Sequence, residues 1–141
     1  MRRPKRARPP LRRARLAALL LIGHGSRVGS ANRLLRDLAR GLRVLFPGRL
    51  VGVCYLEAAS PDMEAGIDRC VARGAGRILL VPYFLYSGGH LRRDLPQAAA
   101  RARRRHPGLL VRIAGHLGHD RRLLAVVADR ARKGLRAGRW A

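Results

Sequence analysis

Four short, nearly unbroken apolar runs constrain this chain more than any other feature: LAALLLI (16–22), LVGVCYL (50–56), RILLVPYFL (77–85) and LLVRIAG (109–115). Each has the length of a strand, and continuous rather than alternating apolarity means that both faces of the strand are covered. The segments between them carry apolar residues at helical spacing. Strands that alternate with helices build a parallel sheet with helices on its faces. The expected fold is therefore α/β: a single doubly wound domain with a four-stranded parallel sheet.

The connecting segments carry their own start and stop signals. Ser30 is placed to cap a helix whose Leu34, Leu35, Leu38 and Leu42 share one face. Ser60-Pro61 has the form of an N-cap followed by proline at the first helical position. Met63, Ile67 and Val71 then mark the inner face of that helix, and Gly74 stops it. A third helix is expected from Asp94 to Arg105, closed by His106-Pro107-Gly108. Asp120 is placed to cap a fourth, ending near Lys133. A chain of 141 residues is enough for one core. The boundaries expected are a disordered basic extension over 1–15, a folded domain over 16–133 and a tail over 134–141. Residues 1–15 hold eight Arg or Lys and three Pro, with almost nothing to bury.

In such a sheet, ligands bind beyond the carboxyl ends of the strands. His24 follows the first run, Glu57 the second, His90 the third and His116 the fourth. The steps from His24 to Glu57 and from Glu57 to His90 are both 33 residues, one strand–helix unit each, so the three return to the same edge. Neutral imidazole is a common ligand of first-row divalent metals and accepts protons near neutral pH. A carboxylate adds a hard ligand or a second base. An open rim of His24, Glu57 and His90 suits a metal held transiently rather than a closed structural zinc site. His106 and His119 fall in a turn and at a helix start, where structural roles are expected.

The segments LLLIGHGSR, CYLEAASPDMEAGI, GAGRILLVPYFLYSGGHLRRDLP and HLGHD together resemble the sirohydrochlorin chelatases, the small class II chelatases that include cobalt-, iron- and nickel-inserting members. The similarity runs from about Leu19 to Arg130. The resemblance implies a chelatase-like α/β fold and insertion of a divalent metal into sirohydrochlorin, with Co²⁺ favoured and Fe²⁺ next. The resemblance further implies a role in cobalamin or siroheme biosynthesis, with no permanent cofactor. It also implies that His24 and His90 bind the metal and accept protons, with Glu57 as their acidic partner. A single-domain member is expected to pair as a homodimer. Sirohydrochlorin is a polycarboxylate, and Arg forks grip carboxylates bidentately. Arg27, Arg92 and Arg93 flank the histidines, Ser26, Ser87, Gly88 and Gly89 offer short side chains and backbone N–H groups, and His116 neighbours the same rim.

Composition bears on the alternatives. There are 31 basic residues against 8 acidic, a net charge of +23, which raises the question of nucleic acid. Only Lys5 and Lys133 are lysine, so arginine is spread throughout the chain rather than gathered into a phosphate-binding face, and aromatic residues make up only 4%, too few for base stacking. Nucleic acid is not the expected partner. Gly23, Gly25 and Gly29 spell GxGxxxG after a strand, which suggests a dinucleotide-binding module, but a His inside a phosphate loop speaks against it. A carrier that binds metal or tetrapyrrole without turnover would use the same residues. Cys54 and Cys70 form no CxxC and are expected as buried free thiols in the cytoplasm. The apolar run at Leu16–Ile22 is too short to span a bilayer and lacks the flank of a signal peptide, so no membrane association is expected.

Overall fold

The computed structural model describes residues 16–86 and 88–138, with the side chain of His90 outside the described residues. Four strands and four helices alternate: β1 (Leu16–Gly23), α1 (Gly29–Leu45), β2 (Leu50–Tyr55), α2 (Met63–Ala72), β3 (Ala75–Pro82), α3 (Gly89–Arg105), β4 (Leu110–Ile113) and α4 (Arg121–Arg136). All pairings are parallel, in the order β2-β1-β3-β4. The expected α/β class and four-stranded parallel sheet are what the chain adopts. The expected extension over 1–15 lies outside the described residues.

β1 is the axis of the fold because it is buried from Ala18 onward and pairs on both sides. Its residues point alternately to the two faces. Ala18, Leu20 and Ile22 pack with Ile67 and Cys70 of α2 and with Leu91, Leu95, Ala99 and Ala102 of α3. Leu19 and Leu21 pack with Leu35 and Ala39 of α1, together with Val51 and Tyr55 of β2. Gly66 lets α2 lie close on the sheet: a Cβ there would come 2.7 Å from the Cβ of Cys54. The two thiols are free and buried, and burial pushes that of Cys54 up to about 12, helped by Cys70 and Asp62. Such a thiol is inert as a nucleophile. No helix among the described residues is long and apolar enough to cross a membrane.

Several boundaries differ from expectation, each for a local reason. Ser30 lies inside α1, whose N-cap Val28 has no side-chain cap; Ser26 and Asn32 satisfy the preceding loop instead. Ser60 does not cap α2. Asp62 does, accepting from the Ala65 N–H at 2.8 Å, because Tyr55 donates its N–H to the Pro61 carbonyl and holds Pro61 alongside β2, outside the helix. β3 ends at Pro82 rather than Leu85, and α3 begins at Gly89 rather than Asp94. Asp120 caps α4 as expected, accepting from Arg122 N–H. α4 runs on to Arg136, so part of the expected tail is helical, and residues 139–141 lie outside the described residues.

Candidate active site

The chain leaves β1 for β2 on one side and later returns to β3 on the other, so the carboxyl ends of β1 and β3 flank the point where the winding reverses. Ligand crevices of open α/β sheets form at such a point. Register aligns these ends: Ile22 is level with Cys54 and with Pro82, and Gly23 with Tyr55. Residues just past them therefore meet at one rim.

His24 and Glu57 do meet there. Leu56 donates its N–H to the Gly23 carbonyl at 3.0 Å and Glu57 to the His24 carbonyl at 3.1 Å, so strand-like pairing continues past the sheet. Gly25 makes this approach possible. Its φ is +94°, and a Cβ would fall 1.8 Å from the Glu57 carbonyl oxygen. As a result, His24 Nε2 stands 3.6 Å from Glu57 Oε1, with both side chains about two-thirds exposed. Two donor atoms each about 2.1 Å from one divalent ion, at an angle a little wider than tetrahedral, are separated by about this distance. Phe84, past β3, presents its ring to His24 edge-on, with centroids 6.4 Å apart.

The loop carrying His24 is clamped from α1. Asn32 accepts from Ser26 N–H at 3.0 Å through Oδ1 and donates to the Ser26 carbonyl at 2.7 Å through Nδ2. Val28 N–H donates to Ser26 Oγ, and the buried Tyr55 hydroxyl donates to the Asn32 carbonyl at 3.1 Å. An open cleft of about 240 Å³ lies beside His24, walled by Ser26, Asn32, Tyr55 and Tyr83. A second hollow of about 170 Å³ between α3 and β4 is lined by Arg92 and His116.

The remaining expected site residues fall as follows. His90 lies in the first turn of α3, after the N-cap Gly88 and beside Gly89; its side chain and the whole of Ser87 lie outside the described residues. Arg27, Arg92, Arg93 and His116 are exposed. Among the described residues, no three His, Cys, Asp or Glu side chains gather as a metal-holding cluster, so what the rim presents here is the His24–Glu57 pair. Asn32, Tyr55 and Phe84 carried no spacing signal and were not anticipated. Two glycines of the GxGxxxG segment serve internal packing, since a Cβ on Gly23 would meet Leu35 at 2.9 Å and Gly25 is pressed against Glu57, whereas Gly29 has open space around it.

A four-stranded parallel sheet with a His/Glu pair at the switch-point rim defines a small chelatase-fold domain. The CbiX family matches residues 18–134, and the chain belongs to that family. It is 29% identical over 113 residues to a sirohydrochlorin ferrochelatase of Bacillus subtilis, covering 80% of this chain and 43% of that protein. It is 28% identical over 120 residues to a sirohydrochlorin cobaltochelatase of Sulfolobus acidocaldarius, covering 85% and 94%. The sirohydrochlorin chelatase SirB from Bacillus subtilis subspecies spizizenii, solved in complex with cobalt, superposes with a TM-score of 0.77 at 30% identity, over 84% of this chain and 50% of that one. The chain spans about half the length of the first curated relatives it matches.

Proposed function

We propose that this chain inserts a divalent metal, Co²⁺ by preference and Fe²⁺ next, into sirohydrochlorin, in the cytoplasm and in the service of cobalamin or siroheme synthesis. His24 and Glu57 hold the incoming ion with His90. As the ion bonds to the macrocycle nitrogens, two pyrrole N–H bonds break and the two protons pass to the imidazoles, with the Glu57 carboxylate assisting their removal. Arg27, Arg92 and Arg93 grip the substrate carboxylates, Ser26, Ser87, Gly88, Gly89 and His116 line the rim, and two copies of the chain work together as a homodimer. The observation that carries this function is the exposed His24–Glu57 pair, 3.6 Å apart on the switch-point rim, in a chain whose relatives are named for this reaction.

The test follows the visible absorption of sirohydrochlorin after Co²⁺ or Fe²⁺ is added. The wild-type chain is expected to accelerate the change, and the His24→Ala, His90→Ala double variant to return it to the spontaneous rate. A double variant that inserts metal at the wild-type rate overturns the assignment. Stoichiometric binding with no gain in rate would make the chain a carrier instead.

A further inference from the structure

Asn32 and Tyr55 join the loops carrying His24 and Glu57 by a second route, apart from the contact at Gly25. Ser26 lies two residues past His24, and one side chain ties both its backbone groups. Asn32 Oδ1 accepts the Ser26 N–H at 3.0 Å, and Asn32 Nδ2 donates to the Ser26 carbonyl at 2.7 Å. Tyr55 lies two residues before Glu57 and donates its hydroxyl to the Asn32 carbonyl at 3.1 Å. Glu57 N–H donates in turn to the His24 carbonyl at 3.1 Å. Chain and hydrogen bonds together close a ring that runs His24, Ser26, Asn32, Tyr55, Glu57 and back to His24.

The links of this ring fix orientation as well as distance. A carboxamide both donates and accepts, so Asn32 pairs with Ser26 as a neighbouring strand would, and the Ser26 backbone cannot pivot about a single bond. Val28 N–H fastens the same residue through Ser26 Oγ at 3.0 Å. Asparagine is a weaker helix former than alanine, so its place inside α1 is explained by its side chain rather than by the helix. Tyr55 is 2% exposed and belongs to the core cluster that holds Leu35 and Ala39 of α1. Its hydroxyl therefore starts from a fixed origin. Both loops are referred to one element, α1: the first through the Asn32 side chain, the second through the Asn32 carbonyl.

We propose that Asn32 and Tyr55 are positioning residues that set the 3.6 Å separation of His24 Nε2 from Glu57 Oε1 and hold the pair at that spacing before an ion arrives. The need is local. Both side chains of the pair are about two-thirds exposed, so little packing restrains them and their backbones must be held instead. Asn32 lines the cleft beside His24, but its amide is turned to the Ser26 backbone, and Tyr55 is buried behind it. Partners that orient a metal's ligands typically contribute ten- to a hundredfold to affinity or activity. The inference deepens the proposed function and rests on its reading of His24 and Glu57 as the pair that holds the ion.

Asn32→Ala, Tyr55→Phe and the double variant of the full chain test it. Both single variants should fold, since phenylalanine keeps the buried ring and alanine suits α1. Opening either link opens the whole ring. Each single variant is therefore expected to lose about ten- to a hundredfold in kcat for metal insertion with KM for sirohydrochlorin unchanged, and the double variant to lose no more than the worse single one. Losses that multiply in the double variant, a rise in KM in place of the fall in kcat, or single variants at the wild-type rate overturn the proposal. Amide hydrogen exchange supplies a readout without chemistry. Tyr55→Phe removes no group bonded to Ser26, yet it should speed exchange of the Ser26 N–H several-fold while exchange along β1 keeps its wild-type rate. Unchanged exchange at Ser26 overturns the ring whether or not the chain is a chelatase. Faster exchange there, with His24→Ala still inserting metal at the wild-type rate, upholds the ring and instead sinks the reading of the pair as the ion's holders.

Discussion

At the scale of single residues, the site rests on Gly25 as much as on His24. The imidazole and the Glu57 carboxylate come from different strand ends, and the absence of a side chain at Gly25 lets their loops lie close enough to share backbone hydrogen bonds. Gly25→Ala must both hold alanine at φ +94° and relieve a 1.8 Å overlap, so the loops must part. The expected cost is about 2–4 kcal/mol of stability by urea unfolding. Metal insertion should fall at least tenfold, about what a displaced catalytic group loses. Gly29→Ala, at a glycine with open space around it, is the control and should leave both readouts near wild type. His24 and Glu57 could be found from the sequence because they sit at matching points of consecutive strand–helix units. Asn32 could not: its role is to bond the Ser26 backbone, and an asparagine six residues on from a serine has no pattern of its own.

At the scale of elements, α2 and α3 share a face of the sheet and are stapled through the last turns of α3. Asp68 of α2 pairs with His106 at 2.6 Å and with Arg105, while Glu64 reaches Arg101 at 3.4 Å and Arg105 at 3.2 Å. Burial tends to raise the Asp68 carboxyl, but the hydrogen bonds and charges of His106 and Arg105 outweigh it and hold the group below its ordinary value. A depressed carboxyl stabilises the fold fully above its unfolded value near 3.8, and that stability is lost as the pH falls through the folded value. The unfolded chain binds the proton more readily in that window. Asp68 is partly exposed, so its share is under about 1 kcal/mol. Urea unfolding at pH 7 and pH 3 should therefore show a smaller acid-induced loss in Asp68→Asn than in the wild type. An equal loss in both would show that the staple does not respond to pH. The sequence placed His106 in a turn with a structural role, and it is the C-cap of α3 tied to α2.

At the scale of the whole molecule, the surplus of basic residues becomes an electrostatic property rather than a set of contacts. On the proposed function, a net charge of +23 would attract a polycarboxylate substrate from beyond contact range. That attraction is screened as the Debye length falls from about 10 Å at 0.1 M salt to about 3 Å at 1 M. Raising ionic strength across this range should increase KM for sirohydrochlorin several-fold and leave kcat unchanged. A KM that does not move would mean that the arginines serve something other than substrate capture.

The sequence by itself determined four strand–helix units, a parallel sheet and a rim holding His24 and Glu57. Apolar runs, helical periodicity and the 33-residue step are local signals, and they survive whatever the rest of the chain does. Tertiary structure alone decided the order β2-β1-β3-β4 with β1 at its centre, the passing of the α2 cap from Ser60 to Asp62 and the 3.6 Å separation at the rim. Each of these depends on which distant segment lies alongside, as when pairing of Pro61 with β2 displaces the helix start. The isolation of α4 belongs with them. Its apolar residues at helical spacing call for packing, and only the folded chain shows that none of them is buried among the described residues.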